Sequence, residues 1–338
     1  MTTNTIGFPL MGFEITVNET AFTIFGLSVQ WYGIILTVGI ICGFIYFYRR
    51  TVKIDKIPEN DILNIALFTI PIAIIGARFV YVITTLGNYD SFWDVINIRK
   101  GGIAVYGSII FGILTMFVYC RIKKLPFLRI LDAAAPAEMI GQIIGRWGNF
   151  MNGEAYGYSS NVENWPFRMT IVEKTYKDGV LTHTSNMITA HPTFLYESLW
   201  NLLGFILISI AYKHKKKDGQ IVLQYLAWYG LGRGLIEFLR TDSLRGLFGE
   251  KLFVVIGLGS FVICSTLLVL LLKKAKKEEN ELKNYAKLYS AEEAENNTDN
   301  TGSDSNEDQT IEDVKEDGSD NDQDVSDGGT DNGECDDN

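Results

Sequence analysis

The sequence predicts an all-α integral membrane protein with seven transmembrane helices, a small extracellular β-rich cap and a disordered cytoplasmic acidic tail. Three observations carry that prediction. Seven stretches are nearly all Ile, Leu, Val, Phe, Gly and Ala, and each has the roughly 20 residues needed to cross a ~30 Å hydrocarbon core. Lys and Arg gather after alternate stretches, as they do in cytoplasmic loops. The charge is also divided: residues 291–338 hold 19 Asp and Glu against one Lys, so the net charge of −10 hides a basic body.

Taken in order, residues 1–27 contain no Lys or Arg. They are therefore not a secretory signal with a basic leader, and they read as an extracellular N-terminal segment. The spans follow at 28–48, 61–83, 103–120, 130–150, 192–212, 219–240 and 252–272. Spans one, three, five and seven each end in a basic cluster, such as Arg49, Arg50, Lys53 and Lys56 after the first and Lys213, Lys215, Lys216 and Lys217 after the fifth. That pattern puts the N-terminus outside and the C-terminus in the cytoplasm. The connection at 158–190 carries β-formers around an Asp178-Gly179 turn, so the cap is expected there. Residues 28–272 form the membrane domain and 273–290 a basic juxtamembrane segment. Residues 291–338, rich in Asp, Asn, Ser and Gly, have too little apolar surface to fold and read as a solvated tail. Of the four cysteines, Cys42, Cys120 and Cys264 lie in apolar spans and Cys335 in the tail, with no metal-ligand spacing.

The polar residues inside the apolar stretches identify the working end. An ionisable group in a bilayer costs about 2.5–3.5 kcal/mol on insertion scales. This chain nevertheless carries Arg146, Asn149, Asn152 and Glu154 where the fourth span closes, among Gly141, Gly145 and Gly148. On the same topology Tyr32, Arg78, Tyr106, His191, Tyr196, Glu197, Tyr229, Arg233, Glu237 and Arg240 all fall near the outer membrane face. Tyr229, Arg233, Glu237 and Arg240 are four, four and three residues apart, which places them on one stripe of a helix. An Arg–Glu pair that neutralises itself within the bundle would explain part of this. It leaves a surplus of arginine, and arginine binds phosphate bidentately. The anion available in an outer leaflet is a phospholipid headgroup. His191, followed by Pro192, reads first as a helix start, and Asp132 and Glu138 as capping or packing groups. A transporter or scramblase for an anionic lipid or small anion is the competing class. Such proteins place their sites near the midplane and often show repeated halves, and no repeat is visible here.

These residues resemble the motifs of the prolipoprotein diacylglyceryl transferases. The resemblance rests on Gly145-Arg146-Trp147-Gly148-Asn149-Phe150-Met151-Asn152-Gly153-Glu154-Ala155-Tyr156-Gly157, on Trp31-Tyr32-Gly33, on Gly76-Ala77-Arg78 and on the run from Gly101 to Gly107. His191-Pro192-Thr193-Phe194-Leu195-Tyr196-Glu197 and the run from Tyr229 through Arg233 and Glu237 to Arg240 complete it. It covers residues 29–272 and excludes the tail. The family implies a bacterial cell-membrane enzyme that moves a diacylglyceryl group from phosphatidylglycerol to the cysteine thiol of a prolipoprotein lipobox. The products are a thioether and glycerol 1-phosphate. The implied partners are phosphatidylglycerol, the prolipoprotein signal-peptide lipobox and the lipid bilayer, with no nucleic acid, metal or organic cofactor. By resemblance, Arg146 and Arg233 hold the phosphate, and Glu154 and Tyr106 complete the catalytic set. Tyr32, Arg78, Asn149, Asn152, Gly157, Tyr229, Glu237 and Arg240 bind or shape the substrate. Well-known members carry His, cast as the base, where this chain has Tyr106. A tyrosine with a pKa of about 10 is a poor base at neutral pH. Either Tyr106 orients the substrate, or the field of the arginines activates the thiol; the second is favoured.

Overall fold

The computed structural model describes residues 2–85, 91–96, 102, 104–158, 161–177, 180–240 and 252–301. Four short strands open the chain: β1 (Thr2–Phe8), β2 (Phe13–Asn18), β3 (Thr20–Ile24) and β4 (Leu27–Gln30). Helices α1 (Trp31–Tyr48), α2 (Glu59–Thr84), the short α3 (Phe92–Ile96), α4 (Val105–Lys123) and α5 (Phe127–Asn152) follow. Strands β5 (Met169–Lys177), β6 (Val180–Thr184) and β7 (Ile188–Ala190) precede α6 (Thr193–Tyr212), α7 (Gln220–Glu237) and α8 (Leu252–Thr301).

Five described helical segments are long and apolar enough to cross a membrane: Trp31–Ile54, Glu59–Thr84, Val105–Lys123, Thr193–Tyr212 and Leu252–Ala291. They turn Ile40, Leu67, Ile75, Ile110, Leu199 and Ile263 outward, an apolar exterior suited to lipid rather than water. The chain is a mostly helical, multi-pass membrane protein. Helices α5 and α7 have 26 and 18 residues but are less apolar, because they carry the charges the molecule needs inside. Arg129, Asp132, Glu138 and Arg146 lie on α5, and Arg233 and Glu237 on α7.

Small residues set the helix contacts. Helix α1 packs on α5, α2 on α4, and α6 on both α5 and α7. A Cβ added at Gly43 would lie 2.7 Å from the carbonyl oxygen of Ala137, so α1 and α5 touch backbone to backbone. Asp132, wholly buried in α5, accepts hydrogen bonds from the Gly219 and Val222 amides at 2.8 and 2.9 Å. It thus satisfies free N–H groups at the start of α7 from another helix, the capping role the sequence suggested. Lys215 Nζ, 2.9 Å away, balances its charge.

The sheet is larger than the sequence reading. Its order is β2-β1-β5-β6, with β7 also on β5. Residues 158–190 alone were expected to build it, yet β1 from the N-terminus pairs antiparallel with β5, with Thr3 opposite Lys174 and Ile6 opposite Ile171. Ile6, Val17, Met169, Ile171 and Ala190 bury one face with Phe194 of α6 and Phe150 of α5. This fixes the sheet to the end of the bundle where α5 stops and α6 starts. The expected Asp178-Gly179 turn lies outside the described residues, between strands that do pair antiparallel. Helix α8 runs on to Thr301, past the start of the segment expected to lack structure. The chain from Asn280 forms a unit of its own, and positions 302–338 lie outside the described residues.

Candidate active site

Glu197 is the centre of the site. It sits one turn into α6, is 4 % exposed, and receives arginines from two other helices. Arg146 of α5 places Nη2 2.5 Å from its Oε2. Arg233 of α7 places Nη1 3.2 Å from its Oε1, and Arg240, three residues beyond α7, does so at 3.3 Å. Arg233 also spans to Glu237 one turn later, with Nη2 2.8 Å from Oε2, and Arg240 Nε is 3.8 Å from the same oxygen. Arg233, Glu237 and Arg240 thus share one face, as their spacing requires. Among the described residues, three guanidinium groups converge on two carboxylates, a formal surplus of one positive charge in a site screened from water.

The glycine-rich end of α5 supplies a second layer. Arg146 Nη1 is 3.5 Å from Asn149 Oδ1. Asn149 and Asn152 donate their amides to Glu154 Oε1 at 3.1 and 3.2 Å. Glu154 therefore orders the asparagine that contacts Arg146. Helix α5 ends at Gly153, whose φ of 61° is a left-handed C-cap. Gly157 then bridges both His191 and Arg240, exchanging backbone hydrogen bonds of 3.0 and 2.7 Å with His191. A Cβ there would lie 2.7 Å from Thr193 Cγ2 and 2.8 Å from the Leu239 carbonyl oxygen. Only glycine lets the strand after α5 knit the start of α6 to the end of α7.

The aromatic residues line the cluster. Tyr106 stacks on Phe253 of α8 at 5.8 Å between ring centroids, and Arg233 Cζ lies 5.1 Å from the centre of the same ring. Tyr106 is half exposed and lies in the electrostatic reach of Tyr229, Arg233 and Glu237. Tyr229 feels Arg146, Arg233 and Glu197 in turn. Tyr32 of α1 lays its ring against Gly148. Arg78 is employed differently. Its Nε and Nη1 donate to the carbonyls of Val95 and Gly102 at 2.7 and 2.9 Å, fastening the chain that leads into α4. His191 is buried beside Tyr196, and Tyr196 accepts a hydrogen bond from Trp165 Nε1. Burial pushes the imidazole below its ordinary pKa. Among the described residues no group of three His, Cys, Asp or Glu has the arrangement of a metal site.

Glu197 is the residue the sequence argument undervalued, having counted it only as a nearby acid. The sequence shows that arginines at one membrane depth need a carboxylate partner, but it leaves Glu154, Glu197 and Glu237 equally eligible.

Residues 19–272 match the family model of prolipoprotein diacylglyceryl transferase. The chain belongs to this family. It is 44 % identical over 230 residues to the phosphatidylglycerol–prolipoprotein diacylglyceryl transferase of Finegoldia magna, covering 68 % of this chain and 86 % of that one. Identity to the enzyme of the same name from Lysinibacillus sphaericus is 39 % over 260 residues, 73 % and 92 % of the two chains. To phosphatidylglycerol–prolipoprotein diacylglyceryl transferase 1 of Clostridium perfringens it is 39 % over 270 residues, 78 % and 97 %. The family match contains every residue of the arginine–glutamate cluster and ends before the acidic tail.

Proposed function

We propose that this chain transfers the diacylglyceryl group of phosphatidylglycerol to the lipobox cysteine of prolipoproteins, releasing glycerol 1-phosphate. The observation that carries the proposal is the convergence of Arg146, Arg233 and Arg240 on one buried point, within a chain of this family. Nothing in the comparisons favours a transporter.

The chemistry asks for what the cluster offers. The thiolate attacks the glyceryl methylene, and the carbon–oxygen bond to phosphate breaks. The phosphodiester becomes a monoester and gains one negative charge. Guanidinium groups already in place, in a site with little water, stabilise that charge without reorganisation. Arg146 and Arg233 hold the phosphate, with Arg240 and Glu237 fixing their orientation. Asn149, Asn152 and Glu154 hold the glycerol headgroup or set Arg146, and Tyr32, Tyr106 and Tyr229 shape the acyl-glycerol entrance. Gly157 keeps Arg240 at the cluster. Arg78 acts one step back, by positioning Gly102 ahead of Tyr106.

In the same reading α5 and α7 complete seven spans, residues 1–27 and 158–190 form an extracellular cap over the site, and the C-terminal tail is cytoplasmic. Polar spans are tolerated where their charges face the bundle interior, as those of Arg146, Arg233 and Glu237 do.

The test is direct. Purified protein in detergent, given phosphatidylglycerol and a synthetic lipobox peptide, should produce a peptide whose cysteine carries a diacylglyceryl mass. Arg233→Ala should form it about 10²–10³-fold more slowly. Absence of the adduct from a folded wild-type protein that binds the lipid would overturn the proposal.

A further inference from the structure

If the chain is this transferase, something must take the proton from the incoming thiol, because a free thiol is only a few per cent ionised at pH 7. Tyr106, a phenol stacked on Phe253, is a weak candidate. We propose that Glu197 is the proton acceptor, masked by three arginines in the lipid-free enzyme and unmasked when the substrate phosphate draws them away.

Among the described residues, Arg146, Arg233 and Arg240 against Glu197 and Glu237 leave the cluster at +1. A phosphodiester monoanion brings it to zero. If the thiol then lost its proton to bulk water, the site would carry −1 in a medium that solvates charge poorly. If the proton passes to a carboxylate of the cluster, the total remains zero through the step. Glu197 is the carboxylate fitted for this. Its two oxygens hold all three guanidinium groups, which are also the groups a phosphate would recruit, and a carboxylate relieved of guanidinium contacts attracts a proton more strongly. Glu237 is completely buried behind Arg233. Glu154 is exposed, holds two asparagine amides on one oxygen, and takes none of the three guanidinium groups among the contacts of the cluster. Among the described residues, the charged and titratable groups facing Glu197 are Arg146 from α5, Tyr229, Arg233 and Glu237 from α7, and Arg240 beyond it.

The step balances. The S–H proton moves to Glu197, sulfur bonds to the glyceryl carbon, and the carbon–oxygen electron pair stays on the phosphate oxygen. The monoester dianion, whose second protonation falls at a pH of about 6, collects the proton from Glu197. Glycerol phosphate leaves as a monoanion, and the carboxylate recaptures its arginines.

The experiment measures adduct formation by the full-length enzyme from pH 6 to 9, for wild type, Glu197→Gln and Glu197→Asp. Binding of a short-chain phosphatidylglycerol is measured alongside by calorimetry. Glu197→Gln should bind the lipid about as well as wild type and lose on the order of 10²–10⁴ in rate at pH 7. Its residual rate should rise about tenfold per pH unit up to the thiol's own pKa, since only pre-formed thiolate can react. A lipobox peptide with selenocysteine, already ionised at neutral pH, should rescue Glu197→Gln far more than wild type. Glu197→Asp should keep the wild-type shape of the pH profile at a lower rate, which tests the idea even if the Gln variant fails to fold. A Gln variant with an unchanged pH profile and no selenol rescue would make Glu197 a scaffold for the arginines. One faster than wild type would make it a mere competitor of phosphate. Either result overturns the proposal. A wild type that forms no adduct would instead overturn the transferase reading beneath it.

Discussion

Arg233 touches both acids of the cluster, Glu197 and Glu237, whereas Tyr106 is held by its stack on Phe253. Their substitutions should therefore separate. Arg233→Ala removes a charge aimed at the leaving phosphate and should cost about 10²–10³ in turnover, the usual loss for one preplaced stabilising donor. Tyr106→Phe keeps the ring on Phe253 and should cost about threefold or less, under 1 kcal/mol of barrier. Adduct formation at saturating lipid compares the two, and an equal loss would show that the phenol is part of the chemistry. Arg78→Ala should show mainly as lost stability. Its hydrogen bonds to the Val95 and Gly102 carbonyls are charge-assisted, worth about 1.5–3 kcal/mol each, and a melting temperature equal to wild type would contradict the staple. The stripe of Arg233, Glu237 and Arg240 could be foreseen because helical spacing alone aligns it. The hub at Glu197 could not, because which of three nearby acids the arginines share depends on how α5, α6 and α7 pack.

The elements owe their placement to a few long-range polar contacts. Asp132 ties α5 to the first turn of α7, so Asp132→Ala removes the acceptor of two amides while Lys215 keeps Asp218 at 2.8 Å. Each buried amide left without its acceptor costs about 1–3 kcal/mol. Thermal unfolding in detergent should show Asp132→Ala well below wild type and Asp132→Asn, which can still accept a bond, between them; three equal transitions would dismiss the trans cap. The junction of cap and α6 carries a pH signature of its own. His191 is held below its ordinary pKa by burial, so below a pH of about 6.5 the unfolded chain binds a proton that the folded chain resists. Stability is then full above that value and declines as pH falls toward the folded pKa. His191→Gln should flatten this dependence in melts run from pH 5 to 8, and an unchanged slope would assign it to other groups. The five long apolar helices were legible element by element, since apolar length is a local property. The full sheet was not. β1 pairs with β5 across more than half the body of the chain, and its Thr-Thr-Asn-Thr run carries no strong strand pattern.

At the scale of the whole molecule, charge and polarity divide the protein into two ends. The arginine–glutamate cluster and the sheet share one, where α1, α4, α6 and α8 begin. The other collects Arg49, Arg50 and Lys53 after α1, Arg121 and Lys123 at the end of α4, and Lys213 to Lys217 after α6. Basic groups are retained on the cytoplasmic side, so the arginine–glutamate cluster should face out and the thiol substrate should meet it there. In a chain freed of its own cysteines, Glu163→Cys beside the sheet should react with a membrane-impermeant maleimide on intact cells. Lys276→Cys, beyond the apolar part of α8, should react only after permeabilisation. The reverse pattern would turn the molecule over and place the cluster in the wrong leaflet for an exported substrate. Removing residues 292–338 should change neither the labelling nor, beyond about twofold, the rate. The family match ends at residue 272, and orientation is set by Lys and Arg near the spans rather than by distant acidic residues. A tail deletion that inverted the labelling would show instead that its 19 acidic residues help to hold the protein in place.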